Sequence, residues 1–205
     1  MVVAARAGEL ELAVQARRLE PAPRARVVVV QAILKGDRGE LAVELMTEVG
    51  VDVIVPWAAE RCVAKWPADR ARADKALGRL RSTAREAAKQ SRRVRFPEVT
   101  DQADLAGVAG VVGVAARVSQ ARVALLLDPA AQRRLVDVEL PTGGDPAGGD
   151  IVLIVGPEGG VSDTETERLV QAGAVPARLG PSVLRASTAG AIASTLILTA
   201  AGRWP

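Results

Sequence analysis

Short apolar runs alternating with helix-patterned segments predict an α/β fold, a parallel sheet covered by helices on both faces. Three observations carry that expectation. Runs such as Val27-Val28-Val29-Val30 and Ile151-Val152-Leu153-Ile154-Val155 are continuously apolar, as strands buried on both faces are. The segments between such runs have the length and pattern of crossover helices. Two of the expected strands also stop at Gly-Pro turns, Gly156-Pro157 and Gly180-Pro181, which lay backbone groups bare where open α/β sheets bind small molecules.

Taken in order, residues 1–26 do not make a complete domain. Residues 9–14 alternate weakly, and Glu20-Pro21-Ala22-Pro23 reads as a linker. A buried strand is expected at 27–34, a helix at 38–49 that stops at Gly50, and a strand at 51–55. A long helix is expected at 70–92, with Pro97 closing the basic block. Residues 104–118 support no single assignment. A strand follows at 123–127, a helix at 130–138, and a surface loop at 142–150, rich in Gly, Asp and Pro. Strand 151–155 leads to helix 162–172, where Ser162 is the expected cap and Glu165 closes a capping box. Strand 175–179 and a helix at 187–201, capped by Ser187 or Thr188, complete the chain.

Absences narrow the chemistry. The chain of 205 residues contains no histidine and one cysteine, Cys62. A Ser-His-Asp triad, a Cys-His pair and the usual zinc sites are therefore excluded within one chain, and no metal is expected. With no tyrosine and one phenylalanine, an aromatic platform for RNA bases is not expected. No apolar run approaches the roughly 18 residues of a membrane span. Nothing near Met1 resembles a signal-peptide core, so the expected location is cytoplasmic.

Charge is concentrated. Between Arg61 and Arg95 twelve Lys or Arg face three acidic residues, a local +9; the whole chain carries +3, so the remainder carries −6. Within that block Arg81, Arg85, Lys89 and Arg92 recur at helical spacing, with Arg93 beside them. Ala73, Leu77, Leu80, Ala84, Ala87 and Ser91 form a separate inward stripe. A merely solvated face is the alternative reading. Only Glu86 is acidic between Leu77 and Phe96, however, which favours contact with an RNA backbone.

Gly156-Pro157-Glu158-Gly159-Gly160 is read either as a ligand-free strand-to-helix turn or as a binding loop. It is not a phosphate-binding P-loop, because no Lys-Ser or Lys-Thr follows. Glu158 would repel phosphate; it suits a hydroxyl, an amine or a sulfonium. The Gly107, Gly110, Gly113 series lacks dinucleotide spacing and reads as a flexible or closely packed segment.

Together, the Gly156–Gly160 turn with its capped helix and the run Leu179-Gly180-Pro181-Ser182-Val183-Leu184-Arg185 resemble the RsmE-type methyltransferases of the SPOUT superfamily. Lys35-Gly36-Asp37-Arg38, Glu48-Val49-Gly50-Val51, Pro56-Trp57 and Ala87-Ala88-Lys89-Gln90-Ser91 extend the resemblance over roughly residues 27 to 203. It implies a SPOUT-type sheet with a C-terminal trefoil knot over 27–205, preceded at 1–26 by a remnant of a PUA-like β-barrel and a linker. It also implies a homodimer that methylates N3 of a uridine in 16S rRNA of the small subunit, using S-adenosylmethionine. By the same resemblance Leu153, Val155, Gly156, Pro157, Glu158, Gly159, Leu179, Gly180, Leu184, Arg185 and Ala186 hold the cofactor. Arg185 and Glu158 are the candidates for assisting the chemistry, Arg185 by stabilising an anionic base. One departure stands out: Ala186-Ser187 replaces the Thr-Glu that the family usually carries after this arginine. A catalytically weak or inactive RNA-binding assembly factor, or a SPOUT enzyme acting on another RNA, are the alternatives.

Overall fold

The computed structural model describes every residue except 67–68, 109–110, 143–146 and 205, and only the backbone at 70, 108 and 111. The chain runs β1 (Val2–Arg6), β2 (Glu9–Leu12), β3 (Ala25–Ala32), α1 (Arg38–Val49), β4 (Val53–Trp57), α2 (Arg70–Gln90) and β5 (Glu98–Val99). It continues through β6 (Gly107–Val108), β7 (Val111–Val112), α3 (Val114–Gln120), β8 (Val123–Leu127), β9 (Gly149–Val155), α4 (Asp163–Gln171), β10 (Ala174–Ala177) and α5 (Ala186–Ala200). β1 and β2 pair as a separate antiparallel hairpin.

Six strands form the main sheet in the order β10-β8-β9-β3-β4-β5, every neighbouring pair parallel. Gln31 at the end of β3 is in register with Val155 on one side and Pro56 on the other, so three central strands finish level. Alternate residues feed two cores. Val27, Val29, Ile54, Leu153 and Val155 pack with α1, α2 and α5; Val28, Val30, Val55, Val152 and Ile154 pack with α3 and α4. Helices thus cover both faces, as the continuous apolar runs predict.

Local chemistry explains the boundaries. α1 stops where Gly50 adopts φ +109, its N–H and that of Val51 donating to carbonyls of the last turn. This pushes the second strand to Val53–Trp57, two residues beyond expectation. Gly149 and Asp150, expected in a loop, pair with Ala25 and Arg26 instead, and Arg26 grips the Asp150 carboxylate with two bonds of 2.8 and 2.7 Å. Residues 143–146 of that loop lie outside the described residues, as does Gly110 of the glycine series. Gly113 is a close-packing position, because a Cβ there would fall 2.4 Å from the Gly107 nitrogen.

Two expectations are corrected. Residues 130–138 are not an α-helix. Asp128 turns the chain by accepting the Ala130 N–H at 2.8 Å, Arg134 bridges to Arg178, and only Leu135–Asp137 forms a 3₁₀ turn. Pairing with the extension of β10 wins over helical propensity there: Arg178 N–H donates to Arg133, and Leu135 N–H donates to Arg178. Neither Ser187 nor Thr188 caps the last helix. The N-cap position is Arg185, and the Thr188 hydroxyl donates backward to the Arg185 carbonyl at 3.1 Å.

The last helix packs closely because its inward residues are small. A Cβ at Gly190 would lie 3.1 Å from Met46 Sδ and 3.3 Å from Gln31 Oε1. Ala191, Ala193 and Ser194 are buried beside it, and Ile197 and Leu198 complete the inner face against α1, β3 and β9.

Candidate active site

A cleft of about 810 Å³ opens beyond the carboxyl ends of β8, β9 and β10, where the topology of an open α/β sheet places ligands. One wall is the turn after β9. Gly156 is closely packed there, since a Cβ would meet Val161 Cγ2 at 2.7 Å. The turn is fixed from behind by the expected capping box: Ser162 Oγ accepts from Glu165 N–H at 3.2 Å, and Glu165 Oε2 accepts from Ser162 N–H at 3.3 Å. Glu165, only 6% exposed, also accepts the Glu60 N–H at 2.8 Å. Arg61 donates to the Val161 carbonyl at 3.4 Å, binding a distant loop to the same turn.

The opposite wall is the 179–187 segment. Among the described residues, no hydrogen bond engages a backbone N–H or C=O of residues 179–184. Residues 180–183 are exposed, and Leu179 and Leu184 are half-buried, so this backbone is open to solvent at the cleft. Gly180 has open space at its Cβ position. The Arg185 carbonyl is held by Thr188 and Ala189 N–H groups, while its side chain is exposed at the cleft. Ser187, at the family's glutamate position, is buried and also lines the cleft.

The fold therefore brings Val155, Gly156, Pro157, Glu158, Leu179, Gly180, Leu184, Arg185 and Ala186 to one cleft. Two expected residues lie elsewhere. Leu153 is fully buried in the core beneath α5, and Gly159 does not line the cleft but faces Arg61, whose carbonyl oxygen an added Cβ would approach at 3.2 Å. Sequence reasoning overlooked Arg38, whose Nη1 lies 3.7 Å from Glu158 Oε1. It stands within the Lys35-Gly36-Asp37-Arg38 word, but nothing in the sequence placed that word against the Gly156 turn. Asp128 and Thr166 line the cleft too and carried no sequence signal.

The α2 cations divide. Arg85 and Arg92 are exposed, and Arg92 adopts φ +55. Arg81 donates to the Val99 carbonyl and pairs with Asp101 at 3.0 Å, and Lys89 pairs with Glu86 at 2.7 Å. Arg93 turns inward and caps the end of α1, donating to Thr47 and Val51 carbonyls at 2.9 and 2.7 Å; burial lowers its pKa from the usual value.

A sequence profile described as an RNA methyltransferase domain matches residues 20–198. The chain belongs to the RNA methyltransferase family. It is 43% identical over 197 residues to the ribosomal RNA small subunit methyltransferase E of Mycobacterium bovis, covering 96% of this chain and 72% of that protein. A Legionella pneumophila methyltransferase structure containing S-adenosylmethionine superposes with TM-score 0.74 at 30% identity, covering 86% of this chain and 67% of that one. The S-adenosylmethionine-bound small subunit methyltransferase E of Neisseria gonorrhoeae gives 0.69 at 27%, covering 85% and 66%. The methyltransferase uses S-adenosylmethionine, and the cleft suits it: the volume is ample, the 179–184 backbone is unengaged, and a carboxylate faces it. Among the described residues no cluster of acidic or cysteine side chains could hold a metal, and no helix is long and apolar enough to cross a membrane.

Proposed function

We propose that this enzyme methylates N3 of a uridine in small-subunit (16S) ribosomal RNA, with the cofactor in the cleft beyond β8, β9 and β10. The observation that carries the reading is the meeting of the Gly156 turn with the unengaged 179–184 backbone around one cleft. When bound, S-adenosylmethionine supplies a methyl group activated by its sulfonium. The chain's own residues then align the partners and exclude water.

In this reading Gly156, Pro157, Leu179, Gly180, Leu184 and Ala186 hold the cofactor through backbone and apolar contacts. Uridine N3 carries a proton, so a reactive base is anionic. Arg185, exposed at the cleft, offers a planar fork of donors to that anion. Glu158 is matched by Arg38 at 3.7 Å, which favours an electrostatic and orienting role over that of a general base. Exposed Arg85 and Arg92 offer charge to the RNA backbone.

Residues 27–205 form the SPOUT domain in this proposal, and the trefoil knot is part of it. After edge strand β10 the chain returns to place α5 against α1, β3 and β9, which supports such a threading. The β1–β2 hairpin, with Leu10 and Leu12 exposed, suits a remnant of a PUA-like barrel. A homodimer acting in the cytoplasm completes the proposal, with Ile192 on the outer side of α5 exposed at 43%.

The test is calorimetric titration with S-adenosylmethionine beside a Gly180→Trp variant, followed by nucleoside analysis of small subunits lacking the modification. Binding lost in the variant, with 3-methyluridine formed by the wild type, is the expected result. Absence of cofactor binding by the folded wild type would overturn it. Gly180 is the position to fill, because bulk at Gly159 would press on Arg61 rather than enter the cleft.

A further inference from the structure

A second cavity, of about 570 Å³, opens at the carboxyl ends of β3 and β4, between the first turns of α1 and the N-terminal half of α2. It adjoins the cofactor cleft. Gln31 lines this cavity and its register partner Val155 lines the cleft, while the consecutive residues Asp37 and Arg38 line one each. The partition holds an unsatisfied polar group, since Gln31 is 5% exposed and its Oε1 lacks a hydrogen-bond partner among the described residues.

The lining is two-sided. Ile33, Leu34, Ile54 and half-buried Trp66 make an apolar interior. Lys65, Arg72, Lys75 and Arg79 stand around it, outweighing the acids Asp37 and Glu40. Arg79 lies 3.7 Å from Glu40, whereas Lys65, Arg72 and Lys75 make no side-chain ion pair among the described residues. Arg72, Lys75 and Arg79 are three and four residues apart and share one side of α2. That side differs from the Arg81-Arg85-Lys89 stripe, two of whose members are spent on Asp101 and Glu86. An apolar interior with an aromatic side chain and a cationic surround suits one nucleotide, base inside and phosphate outside.

We propose that this cavity is a second nucleotide subsite, where an extruded nucleotide flanking the target uridine lodges its base beside Trp66 and its phosphate on Lys65, Arg72 and Lys75. The inference rests on the RNA methyltransferase reading and deepens it. It adds to the backbone contacts of exposed Arg85 and Arg92 a recognition site on the first three turns of α2, next to the cofactor. The loop that carries Lys65 and Trp66 begins at Glu60 and Arg61, which are bonded to Glu165 and Val161 of the cofactor turn. The two sites are thereby tied through two side-chain-to-backbone hydrogen bonds.

Photocross-linking tests the proposal. The full chain, with S-adenosylhomocysteine present, is irradiated with a small-subunit rRNA fragment carrying 4-thiouridine, and the linked peptides are mapped by mass spectrometry. Cross-links are expected in residues 33–34, at Trp66 and in 72–80. Ala76→Trp, which fills the cavity from half-exposed α2, should reduce them about tenfold, the worth of a lost base stack. Its affinity for S-adenosylmethionine should stay within about twofold, since no cleft residue changes. Arg72→Glu with Lys75→Glu should weaken RNA binding and flatten its salt dependence by about one unit for each phosphate no longer neutralised. Cross-links mapping only to the Arg85 and Arg92 face, or unchanged in Ala76→Trp, would overturn the subsite. Cross-links at the cavity in a protein that binds no S-adenosylmethionine would uphold the subsite and defeat the methyltransferase reading, so the two fail separately.

Discussion

Glu60 and Glu165 are joined across the fold by a charge-assisted hydrogen bond, the Glu60 N–H donating to Glu165 Oε1 at 2.8 Å. The other oxygen of the same carboxylate accepts from Ser162 N–H, so one buried side chain serves both a helix cap and a loop 105 residues away in sequence. Glu165→Ala should therefore cost more than a surface cap. Loss of the cap and of the buried acceptor together should lower stability by about 2–4 kcal/mol. Thermal or denaturant unfolding checks the stability, and S-adenosylmethionine affinity should fall as the Gly156 turn loosens. An unchanged midpoint and affinity would refute the coupling.

Arg93 and Arg85 should separate stability from RNA binding. Arg93→Ala removes donors from the Thr47 and Val51 carbonyls at the end of α1 and should destabilise by about 1.5–3 kcal/mol. Its effect on the salt dependence of RNA binding should be small. Arg85→Ala should do the reverse, leaving unfolding unchanged within about 0.5 kcal/mol. Equal loss of RNA affinity in both variants would contradict this division.

Most of the sheet was legible because its strands are buried on both faces and their apolar runs are unbroken, as in Val27–Val30 and Ile151–Val155. The Ser162–Glu165 capping box was legible because it is local. What failed was non-local. Residues 130–138 carry helical propensity, but pairing of Arg134 with Arg178 decides their form. Arg93 reads as one more surface cation until α1 is seen ending beside it. The cleft turns could be named from two glycine words, whereas Arg38 and Glu60 enter the site only through contacts that span about 100 residues of chain. Gly159 reads like Gly156, yet only the three-dimensional path shows which of them faces the cleft.

Glycines 156 and 180 should respond differently to alanine. At Gly156 an added Cβ would stand 2.7 Å from Val161 Cγ2, so the turn must shift. Gly156→Ala should weaken S-adenosylmethionine binding by about tenfold or more, on the order of the 1–3 kcal/mol of an overpacked position. At Gly180 nothing lies within 4 Å, and Gly180→Ala should bind normally. Calorimetry on both variants checks this; weaker binding at Gly180 alone would invert the assignment.

Cys62 should resist alkylation. It is 7% exposed, and burial raises its thiol pKa above the ordinary 9.0, so little thiolate forms near neutrality. Above the ordinary value the unfolded chain releases a proton that the folded chain retains, so stability falls as pH rises from that value towards the folded pKa. Iodoacetamide labelling should be slow until denaturant unfolds the protein. Cys62→Ser should flatten the alkaline loss of stability; an unchanged alkaline profile would assign that loss to other groups.

Asp52 should be the most sensitive surface-proximal acid for stability. Its carboxylate accepts from Val27 N–H at 2.8 Å and pairs with both terminal nitrogens of Arg203, one at 3.0 Å. The side chains of the pair are only 10% and 21% exposed. Removing one member of a largely buried pair leaves the other charge desolvated, a loss of about 3–5 kcal/mol in fully buried cases and less here. Asp52→Ala should approach the lower bound, because it also orphans the Val27 N–H at the start of β3. Arg203→Ala should cost less, since Asp52 keeps that backbone donor. The double variant should be less destabilised than the sum of the two. Strict additivity in a double-mutant cycle would show that the Asp52–Arg203 pair contributes nothing to holding the C-terminal segment on the sheet.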